Sequence, residues 1–335
     1  MRNWPGALVG LLLLTSFSFC LAASDTRRPA ADVAATTYPN KPVRWVVPIA
    51  PGGSNDMIAR LLAQKLTESV GQQFVVDNRP GASGSIGAET VAKATPDGYT
   101  LLFGNNGPLI YNVVLRKSSP YQFSDFEPVI HVGYVSLIIV AHPKVSARDT
   151  KELVALAKAS SEPIVWGSVG YGSTLHIGLA LLQAATGIQV VHVPYKGAAF
   201  ALTDLIGGRI NVMHTTAIAG EAHIKAGRIK VLGIAGPQRE QMLPQVATLT
   251  EQGIRNADLL VWYGVVAPAK TAASNIGKLN HEINKVLQIP EVKERLNAAG
   301  VVIVGGPPVE LTRAMKSEAE RLATLIKDGR LTLSD

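Results

Sequence analysis

Cysteine is nearly absent from this chain: Cys20 is the only one. The residues beyond it can form no disulfide, carry no thiol nucleophile and hold no cysteine-ligated metal. Lys and Arg total 32 against 25 Asp and Glu, a net charge of +7. Yet no block of basic residues and no basic stripe interleaved with aromatics occurs, which argues against nucleic acid and fits small anionic ligands. Enzyme signatures are also missing. Gly81-Ala82-Ser83-Gly84-Ser85 fails the nucleophile-elbow spacing because Ser85 stands where the last glycine belongs. No GxxxxGK[ST] phosphate loop occurs, and Gly170-x-Gly172 lacks the third glycine of a dinucleotide fingerprint. His281-Glu282 begins an HExxH, but Lys285 replaces its second histidine. The expectation is a protein without catalytic residues, cofactor or metal.

No stretch reaches the ~18 uninterrupted apolar residues of a comfortable membrane span. The N-terminus instead reads as an export signal over residues 1–23: Arg2, an apolar core at 7–14, and the small pair Ala22-Ala23. Phe19 before Cys20 is too large for a lipid-anchor site. Residues 24–37 read as a disordered leader.

In the remaining chain, strand and helix patterns alternate. Strands are expected at 43–48, 74–77, 100–103, 129–140, 164–167, 190–193, 211–213, 229–234 and 259–266. Helices are expected at 56–70, 86–93, 149–159, 174–185, 198–206, 217–226, 272–287 and 307–327. This alternation predicts an α/β protein with doubly wound parallel sheets covered on both faces. The long apolar strands near 132–140 and 259–266 are placed to cross between two lobes. Residues 38–139 and 261–335 would form domain 1, and residues 140–260 domain 2, with a ligand cleft between them. A single large doubly wound sheet fits the same pattern.

Two strand-to-helix junctions stand out. In Ala50-Pro51-Gly52-Gly53-Ser54-Asn55-Asp56 a buried strand breaks into glycines and opens a helix. The free N–H groups of a first helical turn, backed by the helix dipole, receive a carboxylate or phosphate without an arginine. Ala50, Gly52 and Gly53 are expected to act through their backbones, and Ser54 and Asn55 to cap the helix, touch ligand, or both. Asp56 and Arg60 read as a surface i,i+4 pair. The second junction is Ser168-Val169-Gly170-Tyr171-Gly172-Ser173-Thr174, with Ser173 or Thr174 as helix cap. His176 follows in the first turn, suited to packing or to ligand contact. Asn105 and Asn106 end a strand at the cleft edge. Tyr195 begins another helix and is the choice for a side-chain contact; Lys196 beside it reads as solvated. Trp262 reads as hinge packing or cleft wall, and Asp204 as structural.

Residues 38–330 also resemble the Bug family of periplasmic receptors, the solute-binding proteins of tripartite tricarboxylate transporters. The resemblance rests on Tyr38-Pro39-Asn40-Lys41-Pro42, Pro51-Gly52-Gly53 with Asp56 and Arg60, Asn78-Arg79-Pro80-Gly81 and Pro96-Asp97-Gly98-Tyr99-Thr100. It continues through Gly167-Ser168 with His176, His192-Val193-Pro194-Tyr195-Lys196-Gly197, Leu205-Ile206-Gly207-Gly208, and Trp262 with Gly264 and Ala267-Pro268. It implies a type II periplasmic binding protein fold, periplasmic location, and a carboxylate held by backbone groups and bridging waters from the two loops. It also implies integral membrane transporter subunits as partners; a monomer is expected. A sensing receptor that feeds a sensor kinase shares this fold. Departures from the family pattern fall at Asn211, Ala247 and the segment 103–107, and these bear on ligand identity. With no obvious second cation near the expected liners, a mono- or dicarboxylate, aliphatic or aromatic, is favoured over a tricarboxylate.

Overall fold

The computed structural model describes residues 38–116, 118–329 and 331. The signal-peptide and leader assignments at 1–37 lie outside the described residues, none of whose helices is long and apolar enough to cross a membrane.

The chain runs β1 (Val43–Val47), α1 (Ser54–Val70), β2 (Phe74–Asn78), α2 (Ser85–Ala92), β3 (Thr100–Asn105) and, after a wide helical turn at Gly107–Tyr111, α3 (Asn112–Leu115). It continues through β4 (Phe126–Ala141), α4 (Thr150–Ala159), β5 (Ile164–Ser168), α5 (Thr174–Thr186), β6 (Val190–Pro194), α6 (Ala198–Ile206), β7 (Val212–Thr216), α7 (Ala217–Lys225) and β8 (Lys230–Ala235). It closes with β9 (Leu260–Pro268), α8 (Ala273–Leu287), α9 (Pro290–Ala298), β10 (Val302–Ile303) and α10 (Pro308–Lys327).

Local sequence explains most of these elements. In α1, Ile58, Leu61, Leu62 and Leu66 recur at helical spacing and are all buried. Each contributes roughly 1.5–3 kcal/mol of burial. Gly71 ends the helix in the left-handed conformation, its N–H bonded to the Thr67 carbonyl. Three elements escape the sequence pattern. The helical segment at 107–115 begins with Gly107-Pro108, which reads as a turn, and its first five residues are all buried, so no polar face marks a period. In α9, Pro290 at the first helical position and the buried pair Val292 and Leu296 would have signalled it. β10 is only two residues long.

The strands follow the order β2-β1-β3-β9-β4-β7-β5-β6, with β8 and β10 also on β4. β1, β2 and β3 pair in parallel, as do β5, β6 and β7. The expectation of purely parallel sheets fails at the crossing strands: β4 and β9 run antiparallel to each other, and β9 to β3 and β4 to β7. A chain that crosses between lobes and returns must do so in opposite directions. Residues 126–136 of β4 pair with β9, and residues 137–141 pair with β7 on one side and β8 on the other. Trp45 of β1 and Trp166 of β5 are both fully buried.

At Gly133 of β4 a side chain would overlap the Val302 carbonyl of β10. Gly133→Ala should therefore push β10 off the sheet and cost about 1–3 kcal/mol. Urea unfolding reads this directly, and an unchanged midpoint would show that β10 gives way freely.

Candidate functional site

α1 starts without a side-chain cap. Its N-cap is Gly53, in extended conformation, which corrects the expectation of Ser54 or Asn55 in that position. Their side chains have other work: Tyr263 Oη donates to Ser54 Oγ (2.8 Å), and Asn105 Nδ2 to Asn55 Oδ1 (3.0 Å). Gly52 has φ +85°, a conformation that favours glycine. Its N–H does not face a ligand; it donates to Asp56 Oδ2 at 3.1 Å. Asp56 is buried rather than on the surface, and also accepts from Arg60 Nε (2.9 Å) and Asn78 Nδ2 (3.0 Å). Burial alone would raise its carboxyl; the bonds from Arg60, Gly52 and Asn78 outweigh that and hold it below its usual range.

α5 is capped by Ser173, whose Oγ accepts from the His176 N–H at 3.3 Å. Gly172 N–H donates to His176 Nδ1 at 3.1 Å, so His176 holds the loop from below rather than facing the cleft. Its ring stacks on His192 with centroids 4.3 Å apart, and Tyr171 sets its edge against both. Burial, then the neighbouring His192, lowers His176 to about 4. Ser168, fully buried, lies 2.6 Å from His192 Nε2. Gly170 has φ +112°, and a Cβ there would stand 2.6 Å from Ser83 Oγ of the other lobe. Ser83 Oγ donates to the Tyr171 carbonyl at 2.5 Å, and Thr174 Oγ1 to Asn106 Oδ1 at 3.1 Å. Ala50 opposes Gly197 across the same seam. The lobes are closed on each other.

Between them lies a cavity of about 40 Å³. It is bounded by Gly53, Ser54 and Asn55 at the start of α1 and by Ser173, Thr174 and Leu175 at the start of α5. Ala198 brings the start of α6, and Thr215, Thr216 and Ala219 the start of α7. Asn105 ends β3 at its wall, and among the described residues no charged side chain lines it. Four helix N-termini thus converge on one small space at the carboxyl ends of parallel strands. Two polar atoms of buried residues there, Asn55 Nδ2 and Thr215 Oγ1, have no hydrogen-bond partner among the described residues.

Of the residues expected at the site, Gly53, Ser54, Asn55, Asn105, Ser173 and Thr174 meet at the cavity. Ala50, Gly52, Asn106, Ser168, Gly170, Gly172 and His176 support its walls or the seam. Asn106 is fully buried, its Nδ2 bonded to Tyr111 Oη (2.9 Å) and the Leu260 carbonyl (2.9 Å). Tyr195 lies outside this cavity and lines the neighbouring one beyond Ser83 and Val169; its hydroxyl donates to Asp204 Oδ2 at 2.8 Å, and burial together with that carboxylate pushes it up to about 12. Sequence reasoning missed Thr215, Thr216 and Ala198, whose short cap patterns look like any helix start, and Ser83, whose placement is long-range. Asn211 and Ala247 lie away from the cavity. Asn211 Oδ1 accepts from Val165 N–H (2.7 Å) and the Ala247 carbonyl from Ile234 N–H (3.1 Å), so neither departure bears directly on ligand. Trp262 packs its ring edge to His131, at 6.0 Å, beside the crossing.

Two α/β lobes, joined by crossing strands and closed on a cavity rimmed by helix N-termini, define a solute-binding protein of the type II periplasmic fold. The chain belongs to the tripartite tricarboxylate transporter family receptors, whose sequence profile matches residues 58–331. It is 36% identical over 301 residues to BugT of Bordetella pertussis, covering 89% of this chain and 92% of BugT. An R. palustris protein solved with adipate is 31% identical, with a TM-score of 0.84 over 88% of this chain and 99% of its own. MatC from Rhodopseudomonas palustris, solved with malate, is 27% identical with a TM-score of 0.81, over 85% and 98%.

The His176 environment has a consequence for stability. An unfolded histidine takes up its proton near pH 6.5, whereas folded His176 resists until about 4. Its contribution is complete above pH 6.5 and is lost as pH falls towards 4, on the order of 3 kcal/mol. Urea midpoints between pH 7 and 4.5 should fall less steeply in His176→Asn, which keeps an acceptor for Gly172. Equal slopes would remove His176 from the account.

Proposed function

We propose that this protein is a periplasmic receptor that captures a small organic mono- or dicarboxylate by lobe closure and delivers it to integral membrane subunits of a tripartite transporter. Residues 38–139 with 261–335 would be one moving lobe and 140–260 the other, and residues 1–23 would direct export. The observation that carries this reading is the convergence of four helix N-termini on a cavity with, among the described residues, no charged side chain and two unpartnered polar atoms. Free N–H groups at helix starts carry partial positive charge and are already aimed, so an anion needs no counter-ion side chain there. Carboxylate oxygens would accept from the first turns of α1 and α5, with Asn55 Nδ2 and Thr215 Oγ1 completing the set. Each such charge-assisted bond supplies about 1.5–3 kcal/mol. Because the donors come from both lobes, ligand binds the closed arrangement better than an open one and shifts the population towards it. The adipate and malate found in the two related structures are small carboxylates, which supports the class.

Thermal-shift measurement of purified protein against carboxylic acids and their amides tests the proposal. Ligand at a hundred times its dissociation constant adds about 2.7 kcal/mol to the native state. A rise with an acid and none with its amide is the expected result. Gly53→Val, which suits the extended backbone at this position, should abolish the rise while the free protein still unfolds cooperatively. Binding retained in that variant would move the anion elsewhere.

Thr215→Val separates ligand contact from folding. Removing an unpartnered buried hydroxyl costs the fold nothing, but should weaken carboxylate binding about tenfold, one charge-assisted bond. Calorimetric titration beside unfolding reads both quantities, and unchanged affinity would exclude the hydroxyl from the ligand.

A further inference from the structure

Asn106 was expected to touch ligand, yet it is fully buried and does not line the cavity. Its amide is fully engaged elsewhere. Oδ1 accepts from Thr174 Oγ1 at 3.1 Å, and Nδ2 donates to Tyr111 Oη and to the Leu260 carbonyl, both at 2.9 Å. The direction of this set is fixed. A carbonyl only accepts, so Leu260 draws Nδ2 towards itself and aims Oδ1 at Thr174. Tyr111 accepts from Asn106 because its own proton goes to Glu318 Oε1 on α10. Burial, then the Glu318 carboxylate, raises the Tyr111 phenol well above its usual range, so the proton stays there. On the next turn of α10, Arg321 bonds Glu318 Oε1 (3.4 Å) and the Asp258 carbonyl (3.1 Å), just ahead of β9. Asn106 follows β3 on one lobe, and Thr174 opens α5 on the other, 68 positions away. Gly107 lets them meet: a Cβ there would stand 3.3 Å from Thr174 Oγ1. Leu260 starts β9, where the chain crosses back. One side chain thus joins both lobes and the crossing. Its bond to Thr174 is buried, whereas the Ser83–Tyr171 bond across the same seam is exposed to competing water.

We infer that Asn106 is a positioning residue: it latches the closed lobes through Thr174, while Leu260, Tyr111 and Glu318 hold its amide in the orientation this requires. Opening takes Thr174 away and leaves Oδ1 without its donor. Closing restores the bond without reorganisation, because the amide is already aimed. The latch therefore favours the closed state whichever ligand fills the cavity, and it adds to what the ligand itself contributes. The Thr174 hydroxyl spends its proton on Asn106 and has none left for a carboxylate. Ligand is met at this point by the N–H groups of α5, and the hydroxyl serves closure. An aspartate at position 106 would accept from Thr174 but donate to neither Leu260 nor Tyr111, so the place demands an amide.

The inference rests on the lobe-closure reading, and a direct measure of lobe separation tells the two apart. Spin labels at Gln64→Cys on α1 and Lys158→Cys on α4, both exposed, report it by pulsed electron resonance in protein carrying Cys20→Ser. Samples are ligand-free or contain succinate, adipate or malate. Thr174→Val should lower the closed-to-open ratio about tenfold, the effect of one buried acceptor left without a donor. Thr174→Ser keeps the hydroxyl and should stay within about threefold of the unsubstituted ratio. Asn106→Ala should open the lobes as Thr174→Val does, and the double variant should open them no further, since both residues act through one bond. An unchanged ratio in Thr174→Val, or losses that add in the double variant, would overturn the latch and leave closure standing. If Asn106→Ala did not fold, the contrast between Thr174→Val and Thr174→Ser would decide alone. One and the same separation in every variant, with and without the acids, would remove closure itself, and the latch with it.

Discussion

β4 lies alongside β9 in antiparallel register from Phe126↔Pro268 to Ser136↔Leu260, and the rest of the molecule hangs on that pairing. After Ser136, β4 keeps going and exchanges β9 for β7 and β8 as partners. The same two strands set both halves of the site. The Asn105↔Tyr263 register delivers the end of β3 to the cavity from one side, and Leu137↔Thr216 delivers the end of β7 from the other. A one-residue slip in either strand would turn its side chains to the opposite face. Both strands are almost entirely buried, which specifies their faces strongly.

The cavity is lined by helix starts and, among the described residues, by no charged side chain. A guanidinium enclosed in so small a cavity would lose its hydration before any ligand arrived, a cost of several kcal/mol. Helix N-termini avoid that cost because their charge is partial and their orientation is fixed by the backbone. Asp56 in the first turn of α1 places a negative charge near these N-termini, yet Arg60 and Asn78 take up the carboxylate and Gly52 N–H binds its other oxygen. The buried acid therefore ties the glycine loop to the helix and leaves the neighbouring N–H groups to the cavity.

Much of this was legible in the chain. The starts of α1 and α5 were visible because glycine pairs interrupt strong apolar strands and a helical period begins at once. The crossing strands were visible by their unbroken apolar length. Other parts were hidden for physical reasons. Thr216-Ala217 and Gly197-Ala198 are ordinary helix starts, and only the packing of α6 and α7 turns them towards the cavity. Tyr195 follows the pattern of a ligand contact, but Asp204, one helical segment away, captures its hydroxyl. Asn106 was expected beside Asn105 at the cleft; consecutive residues at a strand end face opposite ways, and Asn106 is buried against Tyr111 instead.

Composition, periodicity and glycine placement by themselves determined an α/β protein with helix starts suited to an anion, because those properties are local and each spans a dozen residues or fewer. Ordered motifs along the chain added the family. Only the tertiary structure decided which of the helix starts meet and how small the space between them is. These depend on the closure of two lobes, and closure is a property of contacts between residues that no local pattern records.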